Sequence, residues 1–275
     1  MRKGFLIQNV LIGASALVVA AGYVMPERDN TGPVLNAAAT FVKGTDASAS
    51  ATTSTVVAMD GGEVVEGGAQ AAVSAFAGIV KGLSRPEALT TAFKSYFAFK
   101  TAHPNEVKKP YLYFVDLGLP ATAKRGYVFD MEKLQIVDGP FTVAAGRGSQ
   151  KDGGTPTKFS NAAKSAASSL GLYVTKALYA FSGHSGGRAY NSVGLRLDGK
   201  STGFNDNAMA RGVVAHGAPY VTPNKAGRSQ GCPAMEPSRA AKLLPKLADG
   251  AITFLFAPDK NWLSRDPWVT SSNTL

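Results

Sequence analysis

Residues 211–235 read RGVVAHGAPYVTPNKAGRSQGCPAM, and the rest of the chain is best understood outward from them. His216 follows an apolar run, Val213-Val214-Ala215, and precedes Gly217. Cys232 lies sixteen positions later, inside Ser229-Gln230-Gly231-Cys232. A strand, a loop and a return bring two such side chains together. A cysteine nucleophile acts as its thiolate, and a free thiol with a pKa of about 8.5 is only slightly ionised at neutral pH. A neighbouring imidazole either takes the proton as a base or holds the thiolate as an ion pair. Lowering the thiol pKa by about two units corresponds to about 2.7 kcal/mol. Gly231 lets the backbone approach a bound carbonyl, so the Gly231 and Cys232 amides form the expected oxyanion hole.

Around this stretch the apolar period is that of strands. Residues 111–117 (YLYFVDL), 126–130 (GYVFD), 134–137 (LQIV) and 141–145 (FTVAA) are short strand-like runs divided by polar turns. Residues 170–179, 192–197, 213–215 and 251–257 continue the series. Short strands at close spacing predict a mainly β domain, a sandwich or barrel. A short helix is expected from Pro237 to about Leu244, with Pro245 limiting it.

The N-terminal part has a different composition. Arg2 and Lys3 precede an apolar stretch and then Ala20-Ala21-Gly22, the layout of a secretory signal. The same segment, residues 1–25, also has the length of an uncleaved membrane anchor. Either reading puts the body of the chain outside the cytoplasm. Residues 26–72 are rich in Ala, Ser, Thr and Gly and read as a weakly ordered linker. A helical segment is expected over 73–104, with Ser84 as N-cap, Glu87 completing a capping box, and an end at His103-Pro104. The catalytic domain then covers 105–275.

Composition bounds the function. Only 17% of the 275 residues are charged and 45% are hydrophobic, which suits a folded domain rather than a disordered chain. The net charge of +10 favours polyanions. No helix-turn-helix, finger spacing or RNA-binding aromatic motif accompanies it, so an anionic cell envelope is the expected partner and nucleic acid is not. Cys232 is the one cysteine, so an internal disulfide is impossible. His184, His216 and Cys232 lack paired-ligand spacing, so no metal is expected.

The quoted stretch resembles the YkuD-like L,D-transpeptidases, whose signature is His-Gly, a loop, then Ser/Thr-His-Gly-Cys. It is most similar to the murein L,D-transpeptidase catalytic-domain subfamily. There Gly-Phe-Asn-Asp-Asn (203–207 here) precedes the histidine segment and Gly-Cys-Pro-Ala (231–234 here) closes it. The resemblance covers roughly residues 105–258. It implies a YkuD-like mainly β catalytic fold and no cofactor. It implies that Cys232 attacks the L,D bond before the terminal D-alanine of a peptidoglycan stem peptide and passes the acyl group to an amine of another stem. It also implies that Gly217 orients His216 through its backbone carbonyl. Two positions depart from the pattern. Gln230 stands where the family has a histidine, and Ala234 stands where many members have an arginine.

The candidate substrate contacts are therefore Ser229, Gln230, Arg228, Arg211 and His184, the last in a polar loop, Ser182 to Gly187. Asn205-Asp206-Asn207 reads as turn structure. Three functions compete. An acyl transferase passes the stem to an amine. An L,D-carboxypeptidase uses water instead. A non-catalytic wall-binding module uses only the basic surface. Papain-like enzymes place cysteine before histidine, and sortases separate the two more widely.

Overall fold

Two strands with almost uninterrupted apolar sequence, YLYFVD and ITFLF, lie side by side in the middle of the sheet and are buried at nearly every position. Strands that read as continuous apolar runs are those covered on both faces. The computed structural model describes residues 60–274. The expected signal or anchor over 1–25 and the linker as far as residue 59 lie outside the described residues. All described residues belong to one compact unit.

The strands are β1 (Tyr111–Asp116), β2 (Gly126–Asp130), β3 (Gln135–Phe141), β4 (Ala145–Gly146), β5 (Gly171–Ser185), β6 (Arg188–Gly199), β7 (Val214–Gly217), β8 (Val221–Thr222), β9 (Lys225–Ala226), β10 (Arg228–Ser229), β11 (Ala234–Met235) and β12 (Ile252–Phe256). The helices are α1 (Gly61–Phe76), α2 (Ala88–Ala102), α3 (Ala208–Arg211), α4 (Pro237–Leu247), α5 (Lys260–Leu263) and α6 (Pro267–Thr274). One eight-stranded mixed sheet runs β11-β7-β6-β5-β12-β1-β2-β3, and β4/β10 and β8/β9 form two small pairs. Helix α2 packs on β1 and β12, and α4 packs on β5, β6 and β7. The domain is thus mainly sheet with a few short helices, the class the sequence predicts.

Four local expectations are corrected. Helix α1 occupies the end of the segment read as linker. Val65, Ala69, Ala72 and Phe76 are buried at helical spacing, a stripe hidden by the small-residue composition around it. Ser84 does not cap α2, which starts at Ala88. Its amide and hydroxyl instead donate to the buried Asp116 carboxylate at 2.7 and 2.6 Å. A buried carboxylate at the end of β1 needs donors more than a solvated helix start does. Residues 142–144 are not strand, apart from one bridge between Ala144 and Ala234, because the chain there crosses from β3 to the small β4/β10 pair. Helix α4 runs through Pro245 to Leu247, since Ala240, Leu243, Leu244 and Leu247 form one buried stripe.

The polar loop containing His184 is also strand. β5 and β6 form a long hairpin in which Ser185 pairs with Arg188. Its turn is Gly186-Gly187 with φ of 57° and 76°. Positive φ at both central residues is the requirement of a type I′ turn, which glycine meets without strain. Beyond Thr175 burial alternates along β5, so the distal half of the hairpin is an arm with one face turned inward.

Buried Arg125 fixes the crossing from β3 to β4. Its Nε and Nη2 donate to Val143 O at 2.9 and 2.7 Å, and Nη1 donates to Leu119 O at 2.6 Å. Burial pushes its pKa down to about 10, against the attraction of Asp116.

Phe76 anchors α1 through ring contacts to Phe93 at 5.6 Å and Phe129 at 4.6 Å. Phe76→Ala is expected to destabilise the full chain by about 3–5 kcal/mol in chemical denaturation. A loss below about 1 kcal/mol would mean that α1 is not part of the core.

Candidate active site

The site is set by strand register. β7 lies between β6 and β11, and β11 joins it in parallel, with Ala234 opposite His216 and Met235 opposite Gly217. Two residues back along both chains, Cys232 stands beside Val214, whose backbone hydrogen-bonds the thiol. At about 3.3 Å per residue, His216 is about 7 Å further along β7, with its side chain on the same strand face as Val214. A parallel return needs a crossover. Residues 218–233 supply it, and they bury a small cluster of Ala121, Ala144, Ala218, Val221, Ala226 and Ala234. Small side chains let this loop lie close against β4 and β11.

His216 is 3% exposed and stacks on Phe181 of the hairpin arm, with ring centroids 4.2 Å apart and planes at 21°. Its Nδ1 is 3.0 Å from Gly217 O. A carbonyl oxygen only accepts, so Nδ1 carries the proton and Nε2 carries the lone pair. Gly217 itself has no room for a side chain: an added Cβ would lie 2.9 Å from both Ala240 Cβ and Pro237 Cα. Burial pushes the His216 pKa down, partly offset by the Gly217 carbonyl.

Cys232 is half-buried. Burial pushes its thiol pKa up, opposed by the Val214 backbone and by the charge of Arg211. Both shifts favour a neutral thiol beside a neutral imidazole. Burial thus acts against the charged form of each group, and the Val214 backbone and Arg211 act for the thiolate. The two amides of the expected oxyanion hole are differently placed. The Gly231 amide donates to Ser229 Oγ at 3.1 Å, and Ser229 Oγ donates to Cys232 O at 2.7 Å. This tight local turn spends the Gly231 donor. Among the described residues the Cys232 amide has no acceptor. Gly231 contributes conformation instead: its φ is 126°, and a Cβ there would lie 2.8 Å from Ala167 O.

The candidate substrate contacts divide. Phe181, Gly183, His184, Tyr190, Gly212, His216, Tyr220, Arg228, Ser229, Gln230 and Cys232 line one cavity of about 280 Å³. Arg211 is not among them. Its Nη1 donates to Ser160 O and Ser169 Oγ at 2.8 and 3.1 Å, and its Nη2 to Ala167 O and Ser165 Oγ at 2.7 and 3.2 Å. It ties the 160–169 loop to the floor of the cysteine turn, where Ser168 Oγ donates to Gly231 O at 3.0 Å. Asn205 is fully buried, bonding Ser201 N and Leu172 O, so it shapes the turn after β6. A larger cavity of about 390 Å³, lined by Phe159, Phe204 and Trp262 among others, includes neither Cys232 nor His216. Among the described residues no three His, Cys, Asp or Glu side chains gather to hold a metal, and no helix is long and apolar enough to cross a membrane.

Residues 82–256, well over half of the chain, match the family model for the L,D-transpeptidase catalytic domain. The chain belongs to that family. No curated protein matches it. Among solved structures, an L,D-transpeptidase from Mycobacterium smegmatis is similar at 16% identity and a TM-score of 0.32, over 54% of this chain and 59% of that one. An L,D-transpeptidase from Xylanimonas cellulosilytica is similar at 12% identity and a TM-score of 0.32, over 54% of this chain and 61% of that one. The chain thus spans less than two thirds of the length of these structures.

Both departures from the family pattern have a structural setting. Ala234 is fully buried in the small alanine cluster, where an arginine would not fit. Gln230 Oε1 accepts a hydrogen bond from Arg147 Nε at 2.9 Å. Sequence reasoning missed Arg147, Phe181, Tyr190 and Tyr220. The Gly186-Gly187 turn signal could have extended the hairpin and placed Phe181 and Tyr190 on it. Arg147 carries no local signal, because only the β4/β10 pairing brings it to the cysteine loop.

With a neutral thiol and a neutral imidazole, iodoacetamide alkylation of Cys232 in the ligand-free protein should climb through the alkaline range, above the pH at which an ordinary thiol ionises. It should show no plateau near neutrality. A rate already level by about pH 7 would instead reveal a thiolate–imidazolium pair.

Proposed function

We propose that this chain is an exported cysteine acyltransferase that remodels peptidoglycan, with Cys232 as nucleophile and His216 as base. The observation that supports it is the hydrogen bond from His216 Nδ1 to Gly217 O, which turns the basic Nε2 of a half-caged histidine to the cavity it shares with Cys232. As Sγ attacks the carbonyl of the L,D bond, Nε2 takes the thiol proton, and the carbonyl oxygen becomes an oxyanion. The Cys232 amide donates to that oxyanion. Collapse breaks the C–N bond, and His216 returns the proton to the departing D-alanine amine. An amine of a second stem then attacks the thioester while His216 takes its proton, and the thiol is restored. Gly217 acts by orientation, and no cofactor enters any step. The positive charge of the chain suits an anionic cell envelope. The signal or anchor reading of residues 1–25 supports export and any membrane attachment.

The test is mass spectrometry of the full chain incubated with a purified disaccharide-tetrapeptide. A Cys232-dependent acyl adduct with D-alanine release is expected, followed by linked dimers. Cys232→Ala should form no adduct, and His216→Ala should slow acylation by roughly 10²–10⁴. Free tripeptide without dimers would make water the acceptor and the chain a carboxypeptidase. Binding to sacculi with no adduct and no product would leave only a wall-binding module.

A further inference from the structure

Beside the nucleophile's cavity lies a second one of about 310 Å³, lined by Arg147, Asp152, His184, Ser185, Gly186, Tyr220 and Arg228. The two share His184, Tyr220 and Arg228, so they are adjoining parts of one cleft. We propose that this second cavity is a carboxylate subsite, in which Arg147 and Arg228 hold a free carboxylate of a peptide stem. The proposal rests on the acyl-transfer reading for the identity of its ligand.

Four other arginines in the fold are spent on partners of their own. Arg125 and Arg211 are bonded to backbone and serine oxygens, Arg239 is paired with Asp138, and Arg196 lies over Tyr179. Arg228 lines the cavity, its guanidinium has no hydrogen-bond partner among the described residues, and its charge favours the ionised Asp152 carboxylate. Arg147 uses only Nε, on Gln230, and its amide donates to Ser229 O at 2.8 Å. Its two terminal nitrogens have no acceptor among the described residues. The β4/β10 register, Arg228 opposite Ala145 and Ser229 opposite Gly146, brings both arginines to the same edge. The one carboxylate lining the cavity, Asp152, is bonded to Lys225 Nζ at 2.8 Å, which meets most of its charge, with a smaller contribution from Arg228. The terminal nitrogen pair of Arg147 and the guanidinium of Arg228, lining one cavity, match a carboxylate, the group that guanidinium recognises in bidentate fashion. Gln230 acts here as a positioning residue. An amide oxygen fixes Arg147 Nε without titrating, which a histidine at that position would not do.

The subsite is tested by binding, with turnover removed. The full chain carrying Cys232→Ala is titrated calorimetrically with a stem tetrapeptide, and with the same peptide amidated at one carboxylate at a time. One amide is expected to bind about tenfold more weakly than the acid, and that amide identifies which carboxylate is held. The penalty should vanish when Arg147→Gln and Arg228→Gln are combined, and it should shrink in Gln230→Ala, which removes no charge. Amides that all bind like the acid would overturn the proposal, and so would a penalty undiminished in the double variant. Failure of acylation at Cys232 with acid recognition intact would sink the acyl-transfer reading and leave the subsite. Acylation at equal rates for acid and amides would do the reverse.

Discussion

The parallel pairing of β11 with β7 is the constraint on which the site depends. An antiparallel return after Gly217 would need only a short turn and would put Cys232 on a different register. The parallel return requires the chain to leave the sheet, travel through residues 218–233 and re-enter alongside the strand it left. That detour is what makes a loop available, and the pairing of Ala234 with His216 fixes where the loop ends. Cys232 is therefore placed by backbone hydrogen bonds and does not rely on side-chain contacts alone. The same detour is held by the hydrogen bond that the Ala226 amide donates to Ala121 O and by the pairing of β10 with β4, so the loop itself is fixed in the same way.

Burial then sets the chemistry. An imidazole stacked on Phe181 and closed in by Gly217 and α4 has little water to stabilise a positive charge, and a thiol at the base of the same cavity has little to stabilise a negative one. Arg211 is too committed to the 160–169 loop to act as a free counter-ion, yet its charge still favours the thiolate. Burial therefore disfavours the charged form of each group. In the proposed reaction, charge develops on the carbonyl oxygen, beside the Cys232 amide, which has no acceptor among the described residues. Preorganised donors are most effective at sites where charge appears only during reaction.

How much was legible in the sequence follows from how local each signal is. The apolar runs of β1, β2 and β12 are read to within a residue or two, because a strand buried on both faces spells itself out. His216 and Cys232 stand out because their motif is contiguous and because Cys232 is the only thiol. Helix α1 was missed because its buried stripe is mostly alanine and valine among glycines, which resembles linker composition. The Ser84 capping box failed because a distant carboxylate, Asp116, competed for the same hydroxyl. The engagement of the Gly231 amide by the Ser229 hydroxyl is a three-residue geometry that spacing does not reveal.

Arg147 is the least legible of all, and the two departures from the family pattern explain its place. With Ala234 buried among small side chains, no arginine can project from the strand that follows the cysteine. With Gln230 before Gly231, the loop presents a neutral acceptor where the family has an imidazole. Taken singly, each change removes something: a cation in one case, a titratable group in the other. Together they exchange the source of positive charge. The alanine lets β11 sit tight against β7 and Ala144, and the glutamine receives an arginine delivered from β4 on the far side of the loop. Positive charge beside the cysteine loop is therefore kept but arrives from another strand, held by an uncharged partner whose hydrogen bond does not change with pH.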